Sequence, residues 1–248
     1  MTTIDINGIE MYFEERGQGE PLVLLHGFTG AGADWQHVYD LDELAGRWRL
    51  IVPDLRGHGR SSNPGGVFTH AQCARDVTAL LDHLGVARFR AVGMSLGGNT
   101  LLHMASRQPD RAAAMVLVSA TMHYPAQARA IMRQMTEEGR SPAEWAEMRG
   151  RHAHGDDQIR TLWRNARAFA DDHEDMAFTP PRLATITTPT LIVYGDRDPL
   201  YPVEMAVDMY RAIPNASLCV VPGGGHGPIF AGDARTSFVR TSLAFLAS

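Results

Sequence analysis

FRAVGMSLGGNTLLHMAS, residues 89–106, decides the fold. Its centre, Gly93-Met94-Ser95-Leu96-Gly97, has the form G-x-S-x-G. An apolar run, Phe89 to Val92, leads in, and a run with helical spacing, Gly98 to Ser106, leads out. A serine on so tight a strand-to-helix turn has its hydroxyl pushed into the open. The N–H of the next residue is then free to bind a developing oxyanion. The flanking glycines are needed because side chains there would clash within the turn.

Upstream of this turn, Thr2 to Arg16 alternates around Asn7-Gly8 and predicts a β-hairpin. Pro21 to Leu25 and Arg49 to Val52 are short continuous apolar runs, the pattern of strands buried on both faces. The first ends in His26-Gly27-Phe28-Thr29-Gly30, the second in Pro53-Asp54-Leu55-Arg56-Gly57-His58-Gly59. Thr69 to Leu84 has helical spacing, stopped by Gly85. Downstream, Ala114 to Val118 predicts another strand.

The rhythm changes after Thr121. To about Arg182 only helical patterns occur. Ala128, Ile131, Met132 and Met135 share one face of a helix expected to end at Gly139. Ser141-Pro142-Ala143-Glu144 reads as a capping box with proline in the first turn. Ile159, Leu162, Trp163, Ala166 and Phe169 form a third apolar stripe, and Pro180-Pro181 closes the segment. Strands return at Thr190 to Tyr194, followed by Gly195-Asp196-Arg197-Asp198-Pro199, and at Leu218 to Val221, followed by Pro222-Gly223-Gly224-Gly225-His226. Met205 to Ile213 and Phe238 to Leu246 are helical between and after them.

Repeated strand, loop and helix imply an α/β fold: a mainly parallel, doubly wound sheet of about eight strands with helices on both faces. Residues 1–120 and 183–248 form the core. Residues 121–182 are read as a small helical lid inserted after the sixth strand, too short for a domain of its own. Ligands of such sheets sit beyond the carboxyl ends of the strands, where His26, Ser95, Asp198 and His226 all fall.

A serine hydroxyl needs a base to act as a nucleophile at neutral pH. His226, in a glycine-rich loop after a strand, fits that role. An acid must fix its tautomer and stabilise the imidazolium. Asp198 fits, with Asp196 as competitor in the same loop. The chain order Ser95, Asp198, His226 is the one that accompanies a G-x-S-x-G turn of this kind.

On these residues, with His26-Gly27-Phe28, Asp54 to Ser61, and Gly195 to Asp198, the chain resembles the α/β-hydrolase superfamily over essentially its whole length, in its serine-nucleophile, carboxylesterase-like branch. The resemblance implies an oxyanion hole from the backbone N–H groups of Phe28 and Leu96, and favours Asp198 as the acid, since the family's acid usually stands fourth in G-x-x-D. Ser119 and Ala120 occupy the place where some relatives carry it. A serine nucleophile sets the chain apart from the aspartate-bearing haloalkane dehalogenases and epoxide hydrolases. It implies cleavage of carboxylic esters through an acyl-enzyme. Lactonase, carbon–carbon bond hydrolase and cofactor-free perhydrolase activities use the same triad, and some signalling receptors share the fold. Met94 stands where the carbon–carbon hydrolases commonly have asparagine.

The inward stripes of the lid are apolar and methionine-rich, so a pocket for small or medium apolar groups is expected among Met122, Met132, Met135, Trp145, Trp163 and Phe169. His26 and His58 are expected to organise loops, and Asp196 to cap its turn. His103 is expected packed or partly exposed, and His152, His154 and His173 on a solvated lid face.

With 44% apolar and 21% charged residues in 248, the composition is that of an ordinary globular chain. A formal net charge of −5 argues against nucleic acid and anionic membrane as partners. Cys73 and Cys219 lie far apart and read as buried or half-buried thiols. No metal-ligand spacing, dinucleotide fingerprint or phosphate loop occurs, so no metal and no cofactor is implied. The expected partner is a small-molecule ester or lactone, with the chain a monomer or homodimer. Met1 to Asn7 lacks a signal-like pattern and no run reaches the ~18 apolar residues of a membrane span. A cytoplasmic location is expected.

Overall fold

The computed structural model describes residues 2–230 and 232–247. Its eight strands are β1 (Thr2–Ile6), β2 (Ile9–Arg16), β3 (Pro21–Leu25), β4 (Arg49–Pro53), β5 (Phe89–Met94), β6 (Ala112–Val118), β7 (Thr190–Gly195) and β8 (Ala216–Val221). They form one sheet in the order β1-β2-β4-β3-β5-β6-β7-β8. The pairs β1–β2 and β2–β4 are antiparallel, and the rest are parallel. Ile6 pairs with Ile9 across Asn7-Gly8, both at positive φ (47° and 77°), as a two-residue hairpin turn requires.

The helices are α1 (Leu41–Ala45), α2 (His70–His83), α3 (Leu96–Arg107), α4 (Ala126–Met132), α5 (Pro142–Arg151), α6 (Asp156–Ala168), α7 (Pro180–Leu183), α8 (Val203–Ala212) and α9 (Gly232–Leu246). The two-residue side-chain period divides the strands between two cores. Val23, Leu25, Ala91, Leu117 and Ile192 face α2, α3 and α8. Leu22, Leu24, Val92, Val116 and Val193 face the 3-10 turn Gly32–His37, α1 and α9. Burial on both faces explains why these strands read as unbroken apolar runs.

Between β6 and β7 the described chain holds helices and turns. The capping box forms as expected: Ser141 Oγ accepts the Glu144 N–H at 3.2 Å, and Glu144 Oε2 accepts the Ser141 N–H at 2.8 Å. The first helix of this segment is shorter than its apolar stripe predicts. It stops at Met132, and residues 133–140 turn instead, with Arg133 reaching Asp171 and Arg140 bonding back to Thr136 O. Pro180-Pro181 opens α7 rather than closing the segment, because proline suits a first helical turn that lacks N–H partners. Asp175 ties the segment to the core. Its carboxylate accepts the His70 and Ala71 N–H groups at the start of α2 and the His70 ring at 2.8 Å.

Candidate active site

Each strand end contributes one element. Beyond β5, Ser95 takes φ 47° and ψ −106°, a strained conformation for a residue with a side chain. Close approach enforces it. A Cβ on Gly93 would lie 2.5 Å from Gly97 C, and one on Gly97 would lie 2.1 Å from Leu25 O. The turn is pinned by Ser95 N–H to Val118 O at 2.7 Å and Gly97 N–H to His26 O at 3.1 Å.

His226, in the loop after β8, meets both expected partners. Its Nδ1–H donates to Asp198 Oδ2 at 2.8 Å, which leaves Nε2 to accept the Ser95 hydroxyl at 2.9 Å. The other Asp198 oxygen accepts the N–H groups of Leu200 and Tyr201 at 2.8 and 3.2 Å. Asp198 is buried, whereas Asp196 is exposed and has no hydrogen bond to His226. No side-chain capping bond of Asp196 occurs among the described residues; its N–H goes to Val221 O.

The loop after β3 is fixed by His26, whose Nδ1–H donates to Gly27 O at 2.8 Å while Nε2 accepts the Leu55 N–H at 2.9 Å. Burial holds that imidazole below its ordinary pKa, consistent with a neutral ring that accepts on one side. Leu96 is the first residue of α3, so its N–H lies outside the helical ladder. Neither it nor the Phe28 N–H meets an acceptor among the described residues.

His58 donates from Nδ1 to Arg56 O and is fully buried; burial pushes its pKa well down. His103 is buried against Phe178, 3.5 Å from Asp175. His152 departs from the solvated face expected of it. It is 2% exposed, accepts the Gly59 N–H at Nδ1 (2.9 Å) and donates from Nε2 to Thr29 O (3.1 Å). The ring stitches the end of α5 to two core loops. Burial pushes its pKa down to about 4, the bond to Thr29 offsetting part of the effect. His154 bonds Arg60 O near the surface, and His173 is exposed.

The six residues read as pocket lining take three different places. Met122, Met132 and Phe169 are buried in the core that α2 and α3 share. Trp163 packs edge-on against Trp145, ring centroids 4.7 Å apart, beside Met148, Ile159 and Leu162. Met135 is half-buried next to Arg140. Phe28 joins both groups, packing on Phe169 at 5.1 Å and against the Trp163 cluster.

A cleft of about 480 Å³ opens beside the site, lined among others by Gly27, Phe28, Met94, Arg151 and Phe230. Neither Met94 nor Phe230 was expected to line a cleft. A lone aromatic four residues past His226, in a glycine-rich loop, was the available signal for the second.

A serine on a strained turn between β5 and α3, a histidine after β8 and an aspartate after β7 meet at the carboxyl ends of a doubly wound sheet. The chain belongs to the α/β-hydrolase superfamily: residues 20–138 match the model of the alpha/beta hydrolase fold family, and residues 172–246 match that of the TAP-like proteins. It is 30% identical to the dihydrolipoyllysine-residue acetyltransferase component of the acetoin cleaving system of Pseudomonas putida over 95% of this chain, but spans only 66% of that protein's length. It is 27% identical to the pimeloyl-[acyl-carrier protein] methyl ester esterase of Vibrio vulnificus, covering 95% of this chain and 98% of the relative. A thermophilic esterase from Thermogutta terrifontis superposes with a TM-score of 0.75 at 28% identity, over 100% of this chain and 98% of that one. No helix among the described residues is long and apolar enough to cross a membrane.

Proposed function

We propose that the chain is a carboxylic ester hydrolase acting through an acyl-serine. The observation that carries this reading is the Ser95–His226–Asp198 relay, with its 2.9 and 2.8 Å contacts, together with the Phe28 and Leu96 N–H groups, which meet no acceptor among the described residues. The similarity to two esterases over nearly the whole chain supports it.

In this mechanism Ser95 Oγ attacks the ester carbonyl carbon while its proton passes to His226 Nε2. Asp198 stabilises the imidazolium without taking its proton. The Phe28 and Leu96 N–H groups stabilise the oxyanion, each by about 2.7–4 kcal/mol at the transition state. His226 then protonates the departing alkoxide, and water, deprotonated by the same ring, releases the acid. The alcohol leaves on the side of the His226 ring that protonates it. The helical segment of residues 121–182 acts as a lid, held by Asp175 and His152. An alkoxide leaves more readily than an amine, and Phe28, Trp35, Met94 and Phe230 are among the residues lining the cleft, so small to medium apolar esters are the substrate class.

The test is a pre-steady-state time course with p-nitrophenyl acetate on the wild type and Ser95→Ala. A Ser95-dependent burst followed by turnover supports the acyl-enzyme route. Stoichiometric release without turnover points to a receptor on the hydrolase fold. Activity that survives Ser95→Ala overturns the reading.

A further inference from the structure

His226 stands in a loop that leaves the placement of its ring to side-chain contacts. Gly224 is pinned, its carbonyl accepting the Arg197 N–H at 2.8 Å. Beyond it, Gly225 and Gly227 are exposed, and a Cβ on Gly225 would meet nothing within 4 Å. No backbone hydrogen bond among the described residues involves Gly225, His226 or Gly227. The imidazole is 22% exposed. Its bonds to Asp198 and Ser95 hold Nδ1 and Nε2, but a ring held at two atoms still tilts about the line joining them, within the angular tolerance of the two bonds.

Tyr201 supplies a third contact. Its ring packs edge to face with the imidazole, centroids 5.2 Å apart and planes at 73°. Tyr201 is itself firmly held. It is 2% exposed, its N–H donates to Asp198 Oδ1 at 3.2 Å, and Pro202 after it favours an extended backbone. The Asn99 side chain bonds the phenol. Asn99 Oδ1 accepts the Thr121 N–H at 2.9 Å, which leaves the amide NH2 to donate to the phenol oxygen. Asn99 lies in the first turn of α3, its own N–H on Ser95 O at 2.8 Å. Tyr201 therefore joins the acid, the base and the helix that carries the nucleophile.

The contact matters most midway through the reaction. Once Ser95 is acylated, its oxygen has no proton to give Nε2, and one of the two bonds that hold the imidazole is gone. The ring keeps Asp198 at Nδ1 and Tyr201 at its side, and Nε2 must still face the incoming water. Burial, with the Asp198 charge adding to it, raises the phenol pKa, so Tyr201 stays neutral while His226 changes charge. Its part is therefore to place the ring and not to move a proton.

We propose that the Tyr201 side chain is a positioning residue for His226: its ring, anchored to Asn99, keeps the imidazole aligned for the deacylating water after Ser95 has been acylated. The inference rests on the ester hydrolase reading. Loss of the ring slows deacylation more than acylation, because Ser95 still helps to hold the imidazole in the first step and cannot in the second.

The test is stopped-flow hydrolysis of p-nitrophenyl acetate by the wild type, Tyr201→Phe and Tyr201→Leu. Both variants keep the backbone N–H that holds Asp198. Tyr201→Phe keeps the ring and is expected to leave both phases within about threefold. Tyr201→Leu is expected to leave the burst rate within about threefold and its amplitude per chain unchanged, while the steady rate after it falls by about tenfold or more. Where Tyr201→Leu does not fold, Tyr201→Met takes its place, its flexible chain refilling more of the space. A steady rate unmoved by loss of the ring overturns the proposal, as does an equal loss in Tyr201→Phe. A burst amplitude that falls in step with the steady rate also overturns it, since fewer active molecules then explain the loss. A second readout needs no turnover. In Ser95→Ala the imidazole lacks its serine bond, as in the acyl-enzyme, and the low-field proton resonance of His226 Nδ1–H is expected to persist. In Ser95→Ala/Tyr201→Leu it is expected to broaden away by exchange with water. Equal resonances in the two, with Ser95-dependent acetate turnover intact in the otherwise unaltered chain, overturn the role of Tyr201 and leave the ester hydrolase reading standing. Acetate turnover independent of Ser95 removes that reading, and the proposal with it.

Discussion

His226 Nδ1 lies 2.8 Å from Asp198 Oδ2, while Asp196, two residues earlier on the same loop, is exposed. Asp198 is held from behind by the Leu200 and Tyr201 N–H groups, which fix its carboxylate toward the imidazole. Asp198→Asn is expected to lower kcat on p-nitrophenyl acetate by about 10⁴-fold, because an amide favours the wrong imidazole tautomer. Asp196→Asn is expected to stay within twofold. Steady-state kinetics on the pair checks both, and equal losses would move the acid role away from Asp198 alone.

The elbow leaves no room for a Cβ at Gly97, which would sit 2.1 Å from the Leu25 carbonyl oxygen. Gly97→Ala is expected to destabilise the fold by about 3 kcal/mol or more, since backbone must move. Gly150, inside α5, has nothing within 4 Å of its added Cβ. Gly150→Ala is expected to stabilise by about 0.5–1 kcal/mol through helix propensity. Urea unfolding of the two variants compares the close approach directly with the propensity effect.

His152 gives the molecule a pH-dependent joint. Its folded pKa, about 4, lies below the ordinary value of about 6.5. Between those values the unfolded chain binds a proton that the folded ring refuses, so stability falls as pH drops from about 6.5 to about 4. Below that window the ring is protonated in both states and the slope from this group ends. His103, also pushed down to about 4 by burial, adds to the same window. His152→Ala is expected to reduce stability at pH 7, because the Gly59 N–H and Thr29 carbonyl lose their partners, and to flatten the slope below pH 6.5. Urea midpoints at pH 7, 6, 5 and 4.5 read both effects.

Arg56 and Asp76 form a two-pronged ion pair at 2.8 and 2.9 Å, with side chains 5% and 0% exposed. Asp76→Ala leaves a buried guanidinium without its counter-charge and is expected to cost about 3–5 kcal/mol. Arg133–Asp171, with both side chains more than half exposed, is expected to contribute no more than about 1 kcal/mol, so Asp171→Ala changes stability little. Similar losses for the two would show that burial does not set the strength of these pairs.

By itself the sequence determined the features that local chemistry governs. The alternating and unbroken apolar runs specify the strands, because side chains repeat every two residues and parallel strands are covered on both sides. Gly93 and Gly97 flag the elbow, because nothing larger fits there. Chain order singled out Ser95, Asp198 and His226, since each follows a strand whose end opens on one edge of the sheet. Contacts between distant segments were left to the tertiary structure. His152 looks like a surface residue of a polar stretch until Gly59 and Thr29, 93 and 123 residues away, supply its partners. The stripe through Met135 suggests a helix reaching Gly139, but the helix stops at Met132 and residues 133–140 turn instead. The meeting of Phe28, Phe68 and Phe169 leaves no local trace either. Ring packing depends on where two loops and the end of α6 converge, and no periodicity within any one of them records which rings will meet.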